Sequence, residues 1–440
     1  MALSEEPSFE KLRYEEDYAC LQENSKASPL KCLAVDQGAR RYLTLGGEAR
    51  LRYEYTRDPT FGQDPQDKRG VFLQRYSLLA EGHLSDAFRV FAQLNSALEN
   101  GRNGGPSPVD ENKLEFQNAF LELRRQFSGA RSVFARIGRQ EIQLGSGRLV
   151  DVREGPNVRR TFDGLRFDFR SRERSLSAFA ARPRADRPGT FDDETDDAKA
   201  LWGLYAVLAE PKERATRIEL YYLGFEDDQG RYFQGIADES RHSVGTRFSG
   251  KRGAWDFNWE PLYQFGSFGR GDINAWTLAT ETGYTWRNAR WRPRVALSLN
   301  VASGDRDADD PDLQTFNPLF PRGNYFEEVA VLGPRNFYNV HTFFTVEPNS
   351  KWTLTADINL FWRLETEDGL YSPSGRLIRA PQGSDERFVA STFSLNSEWK
   401  VNRHTTFTVI YSHLKPRAFL RDTGPADSTD FIELTAQFKF

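Results

Sequence analysis

The chain has 440 residues with a net charge of −4, a pI near 5.9 and a mean hydropathy of −0.65. No apolar run approaches the ~18 to 20 residues that a membrane helix needs, and the mild acidity gives no electrostatic footprint for nucleic acid. A transmembrane β-barrel is the one membrane architecture that so polar a composition leaves open, because only alternate residues of its strands meet lipid.

Residues 1–40 carry no period-two pattern, and FEKLRYEEDYACL reads at most as a short helix. This segment is expected to be a periplasmic extension of a barrel or a plug within it. Its start, MALSEEPSFEKL, lacks the basic and apolar stretches of a secretion signal, as a mature exported chain with an added initiator Met1 would. Both cysteines, Cys20 and Cys32, fall here. An even count at close spacing suits a disulfide in an oxidising periplasm, where closing the loop would contribute about 3 kcal/mol; two unpaired thiols are the alternative. No His or further Cys stands near enough for a zinc site.

Alternation begins at Tyr42 and defines the expected barrel, residues 41–440. In RYLTLGGEARLRYEYTRD the set Leu43, Leu45, Gly47, Ala49, Leu51, Tyr53 and Tyr55 shares one face, and Glu48, Arg50, Arg52 and Glu54 share the other. Similar stretches follow at Phe72–Leu84, Phe88–Leu98, Leu114–Arg124, Ser132–Ile142, Thr161–Arg170, Leu176–Arg182, Ala200–Ala209, Arg217–Phe225 and Ser243–Phe248. The second half adds Trp255–Phe265, Ala275–Trp286, Trp291–Val301, Tyr338–Glu347, Trp352–Leu364, Val389–Trp399, Thr406–His413 and Phe431–Phe440. Together they predict an all-β, up-and-down antiparallel barrel of about eighteen strands, and roughly 22 residues per strand plus connection gives the same even number.

The most regular stretch is KWTLTADINLFWRL, Lys351–Leu364, in which Phe361 is the one apolar residue out of phase. Trp352 and Trp362 share its apolar face. Their separation projects to about 26 Å along a tilted barrel axis, the height of a lipid-facing band edged by aromatic girdles. The connections alternate between short, as at Ser85-Asp86, Arg287–Arg290 and Pro348–Lys351, and long and polar, as at Arg57–Gly70, Arg182–Lys199, Ser303–Phe337 and Glu365–Arg387. Short turns on one side and long loops on the other are the periplasmic and outer faces of such a barrel.

Four stretches together resemble the alginate-export family of outer-membrane porins: RIGRQEIQLGSGRLVD (Arg136–Asp151) with RRTFDGLRFDF (Arg159–Phe169), ASGDRDADDPDLQTFNPLFPRGNYF (Ala302–Phe326), VHTFFTVEPNSKWTLTADINLFWR (Val340–Arg363) and the C-terminal strand TDFIELTAQFKF. LRYEEDYACL and YLTLGGEARLRYEY are similar to the family's beginning. The resemblance covers most of the chain. It implies a single monomeric barrel in the outer membrane, in contact with its lipid, with a charged lumen and with partners in the periplasm if it exports. It leaves the substrate open.

A barrel of this size keeps an aqueous channel whose lining charges set what passes. Parity turns Glu48, Arg50, Arg52, Glu54, Arg75, Glu81, Arg89, Glu122, Arg124, Arg136, Arg166, Arg247, Arg294 and Arg363 inward, with Glu281 and Asp357. Most of these are expected to pair across neighbouring strands and fewer to meet solute. Arginine predominates, and its planar fork pairs carboxylates with two hydrogen bonds, so an anionic polysaccharide or a small acidic solute is the expected cargo. Strict alternation would put Arg139 in hydrocarbon; a bulge near Gly138 and a bend into the lumen are expected instead, carrying Arg139, Arg148 and Arg153 towards the constriction. Ala302–Phe326, with Leu319, Phe320 and Phe326, is too apolar for a solvated tip and is expected to fold into the mouth.

No catalytic motif is present: no G-x-S-x-G, no H-E-x-x-H, no phosphate-binding loop, and five scattered histidines. Nothing calls for a cofactor or a resident metal; Asp305, Asp307 and Asp309 lack the glycine and distal glutamate of a calcium loop, so solvated acidic loops are expected there and at Phe191–Lys199, with a loose divalent-cation site as the alternative. The sequence thus reads as a channel that passes acidic polysaccharide outward, with an uptake porin for small carboxylates or sugars as the alternative and a plugged structural barrel as a third reading.

Overall fold

The computed structural model describes residues 8–16, 18, 30–35, 41–209 and 216–440. Among them an 18-stranded antiparallel barrel dominates. Its strands are β1 (Tyr42–Arg57), β2 (Val71–His83), β3 (Phe88–Asn100), β4 (Asn112–Phe127), β5 (Arg131–Gln140), β6 (Phe162–Arg170), β7 (Arg174–Ala185), β8 (Lys199–Ala209), β9 (Thr216–Tyr232), β10 (Gly235–Arg252), β11 (Trp255–Phe268), β12 (Gly271–Thr285), β13 (Arg294–Ala302), β14 (Phe337–Asn349), β15 (Trp352–Trp362), β16 (Phe388–Lys400), β17 (Thr405–Pro416) and β18 (Thr429–Lys439). Each pairs with its successor, and β18 returns to β1, with Glu48 opposite Lys439 and Arg57 opposite Asp430. The wall therefore has no free edge.

Every alternating stretch of the sequence is a strand. Two are much longer than their patterns, because β9 and β10 rise above the lipid band, where Glu226, Asp227 and Asp228 no longer need to alternate with apolar residues. The tight outer hairpins at 233–234 and 269–270 are exceptions to the long-loop side.

The two faces of the wall separate as the lipid requires. Ile358, Leu297 and Leu434 are exposed on the outside, whereas Arg50, Arg75 and Glu433 are buried inside. Trp352 packs on Trp399 (ring centroids 5.6 Å apart) and Trp399 on Phe407 (5.7 Å) at the periplasmic edge. At the outer edge Trp362 packs on Tyr338 (5.2 Å) and Phe388 (4.8 Å). These are the two girdles. Replacing mid-strand Ile358 by Arg is expected to cost about 2–4 kcal/mol, read as a lowered urea midpoint for the barrel refolded into lipid vesicles.

The apolar core lies inside the outer half of the barrel. Inward-facing Phe162, Phe225, Phe337, Phe361 and Val389 meet loop residues Leu149, Val150, Phe316, Phe320, Phe326, Leu332 and Phe419 there. This accounts for Phe361: it is fully buried, stacked on Phe337 (5.3 Å) and edge-on to Phe326 (5.3 Å).

Candidate functional site

The channel is narrowed by two loops that enter it. Strands β5 and β6 stop short of β4, and the chain between them, 141–161, turns inward. Gly138 lies just before the turn with φ +127° and its Cα against the carbonyl of Ala119, a conformation and a closeness that suit only glycine. The gap left in the wall is closed by the loop after β7: Lys113 donates to the carbonyl of Gly189 (3.0 Å) and Phe191 to that of Leu114 (2.9 Å).

Arg139 does not follow the bend, contrary to the expectation. It remains on β5, held by its cross-strand neighbour Asp163 (2.9 Å) and by Glu115 (3.5 Å), because the chain leaves the sheet only after Gln140. Arg148 and Arg153 do travel with the loop. Arg148 lies 3.5 Å from Glu260, and Arg153 donates to the carbonyl of Val158 (3.1 Å).

The second inward loop is 303–336, and Phe316, Phe320, Phe326 and Leu332 are buried in it. The two loops are joined through their backbones: Phe320 donates to the carbonyl of Leu149 (2.8 Å), Asp151 to that of Phe320 (2.9 Å) and Arg322 to that of Gly147 (3.1 Å). On the outer side of the junction is a vestibule of about 510 Å³; on the periplasmic side, against β12–β17, is a cavity of about 280 Å³. Asn324 and Glu328 line both, so they form the partition, and Asn324 Nδ2 donates to Glu328 Oε2 at 2.8 Å. Beside them Glu327 accepts the N–H groups of Val331 (2.6 Å) and Leu332 (2.8 Å), and burial pushes its carboxyl up to about 8. Burial, reinforced by the charge of Glu433, also raises Glu328. With Glu327 mostly protonated at neutral pH, the partition repels an anion less than its composition suggests.

Most inward charges of the wall are already paired. Glu122 holds Arg89 (2.9 Å) and Arg136 (2.7 Å); Glu48 holds Arg75 (2.8 Å); Glu81 holds Arg89 (3.0 Å). Arg52 is shared by Glu54 (3.2 Å) and Glu433 (3.3 Å), Arg166 meets Asp168 (2.7 Å), Arg247 meets Glu219 (2.7 Å), and Arg294 meets Asp256 (2.6 Å) and Glu281 (2.9 Å). Arg50 donates instead to the carbonyls of Glu154 (2.8 Å) and Pro156 (3.2 Å), which pins the first loop to β1. Arg124 is exposed at the periplasmic mouth. Arg363 is a correction: it lies one residue past the end of β15, is fully buried, and donates to the carbonyls of Glu386 (2.7 Å), Thr366 (2.7 Å) and Ser384 while its guanidinium rests on Phe419 (4.1 Å). It organises the loop 363–387 and does not line the channel.

Alternation could not find the loop residues that complete this network. Glu154 takes ion pairs from Arg75 and Arg159 (2.7 Å), and Arg159 also meets Glu141 (2.7 Å). The one legible sign was the clustering of charge in EIQLGSGRLVDVREGPNVRR, which no lipid-facing strand would tolerate.

The periplasmic mouth holds residues 8–16. The Tyr14 ring lies edge-on to Phe91 (6.0 Å) and Phe120 (5.3 Å), and its hydroxyl donates to the carbonyl of Glu141 (2.5 Å). Lys11 pairs with Asp151 (2.6 Å). Two cavities, of about 130 and 380 Å³, flank this segment. The larger is lined by Arg166, Arg170, Arg172, Arg174 and Arg217, against Glu15, Asp168 and Glu173. Cys20 lies outside the described residues, and with it the expected Cys20–Cys32 pairing. Among the described residues no three His, Cys, Asp or Glu side chains gather to hold a metal.

Comparison with known proteins agrees with this architecture. The barrel superposes on OccD3 (OpdP) of Pseudomonas aeruginosa with a TM-score of 0.60 at 13% identity, covering 90% of this chain and 91% of that one. OccAB2 of Acinetobacter baumannii (TM-score 0.60, 11% identity) and a BenF-like porin of Pseudomonas fluorescens Pf-5 (0.60, 12%) each align over 90% of this chain and 98% of their own. At these identities the likeness is one of fold. No curated protein matches the chain. The family model described as alginate export matches residues 41–432, nearly the whole barrel. With the closed barrel, its girdles and its narrowed lumen, that match makes the chain a member of the alginate export family, an outer-membrane β-barrel channel.

Proposed function

We propose that this channel carries acidic solutes, acidic polysaccharide or its fragments above all, from the periplasm outward. The observation that supports the direction is the charge asymmetry of the two ends. The larger periplasmic cavity is lined by five arginines against three acids, and neither Arg172 nor Arg174 has a carboxylate within ion-pair distance among the described residues. The outer vestibule is the reverse, with Glu54, Asp64, Asp67, Asp110 and Glu328 against Arg52, Arg102 and Arg376. A mouth of one sign concentrates counter-ions before passage, and repulsion at the far end hastens their release. Between the two, burial keeps the Glu327 carboxyl of the partition largely protonated.

The test is planar-bilayer selectivity with the periplasmic end identified by its orientation. Reversing Arg172 and Arg174 to Glu together is expected to lower the anion-to-cation permeability ratio severalfold, and more for anions added on the periplasmic side. A wild-type channel that prefers cations would sink the reading. Uptake of small carboxylates is the second reading, and the backbone-joined loops favour it, since a partition so close admits a compact solute more readily than an extended chain. Block that is equally strong from the outer side would select it.

A further inference from the structure

The described N-terminal residues are held in one place by contacts that leave Glu15 directed at the cavities of the mouth. Tyr14 is buried between Phe91 and Phe120, with the Arg136 guanidinium 4.3 Å from its ring. Arg89 donates to the carbonyl of Tyr14 (2.9 Å), and Arg159 to that of Lys11 (2.8 Å). Glu16 is buried and taken up by Arg13 (2.5 Å). Glu15, next to it, is exposed, and its partner is Arg170 of β6 at 3.1 Å, itself exposed. Glu15 and Arg170 line both periplasmic cavities, so their ion pair is what divides the mouth into two spaces.

We propose that Arg170, with Arg172 and Arg174 on the same cavity wall, forms a carboxylate-binding site, and that Glu15 occupies it as a tethered stand-in for the incoming solute. The identity of that solute rests on the function proposed above; the site itself does not. An exposed ion pair contributes little net stability, so a free carboxylate can displace it. Because Tyr14 and Glu16 on either side of it are buried, only the Glu15 side chain has to move, and as an intramolecular competitor it raises the solute level at which the site changes hands. The anchors at Tyr14 and Lys11 are separate from the pair, so Glu15 can be released while the segment stays docked.

The experiment uses the full-length protein in planar bilayers, wild type against Glu15→Gln, with two readouts. In potassium chloride alone, Glu15→Gln is expected to raise the chloride-to-potassium permeability ratio, and Arg170→Gln to lower it. With a galacturonate oligomer added on the periplasmic side, Glu15→Gln is expected to lower the half-blocking concentration about threefold, as removal of a tethered competitor requires. A chloride ratio unmoved by either substitution overturns the site. A ratio that moves while the oligomer blocks neither protein upholds the site and overturns acidic saccharide as the cargo. Because Glu15 and Arg170 are both exposed, the electrophoretic heat-shift of the folded barrel is expected to be the same for all three proteins.

Discussion

Removing Asp305–Arg322 is expected to raise single-channel conductance severalfold. That segment carries Phe316 and Phe320, and Phe320 and Arg322 make the backbone bonds that join the second inward loop to the first. Without it the outer vestibule and the inner cavity become continuous, and conductance follows the narrowest cross-section. The wall does not depend on the segment. Strands β13 and β14 pair from Arg294–Thr345 to Ala302–Phe337, below the point where the loop begins. Lost packing in the outer-half core is expected to lower the unfolding midpoint while the barrel still forms. The check is conductance in potassium chloride against the wild type; an unchanged value would mean that ions pass around the loop and not through the partition.

The second large effect is expected at Glu122→Ala. Glu122 is the shared acceptor of Arg89 and Arg136, and both Glu122 and Arg136 are nearly inaccessible, at 5% and 3% exposure. Removing the carboxylate leaves the Arg136 charge buried between the Tyr14 and Phe120 rings, each 4.3 Å away, with one of its Nη groups already without a partner. Stranding one member of a buried ion pair costs about 3–5 kcal/mol, whereas replacing both by apolar groups is often neutral. The midpoint of guanidinium unfolding in detergent is therefore expected to drop sharply for Glu122→Ala and to recover in large part in Glu122→Ala with Arg136→Met. Equal loss in the two proteins would show that the carboxylate acts through something other than Arg136.

These two sites also mark what the sequence could and could not disclose. Glu122 and Arg136 were legible because lipid outside the wall imposes a strict period of two, and every charge on β4 and β5 near the membrane centre has to take the inner phase. The same rule placed all the strands and the girdle tryptophans. Inside the lumen nothing imposes a period. Glu154 and Arg159 are brought to Arg75 by a loop that the wall's alternation does not govern. Arg363 was misplaced for the related reason that a strand's phase was carried one residue past its end, where the chain had already turned into a loop of carbonyls that claims the guanidinium. Phe361 broke the alternation because its contacts are Phe326 and Phe337, two partners visible only once the loop is folded. Arg139 kept the outer phase that arithmetic gave it; cross-strand Asp163 made that position tolerable, and no bend was needed.

The closure between β1 and β18 has a kinetic consequence. Every other join in the wall links neighbours in the chain, but Glu48 and Lys439 meet across almost its full length. Such a contact gains nothing until the whole ribbon has curled, so zipping of this seam comes last and slowly. Until then two rims of unsatisfied amides stand open to pairing with another copy. Arg13 reaches both sides of the finished seam, donating to the carbonyls of Gly47 and Phe440 at 3.0 Å each, and so acts as a clasp that only a completed cylinder can fasten.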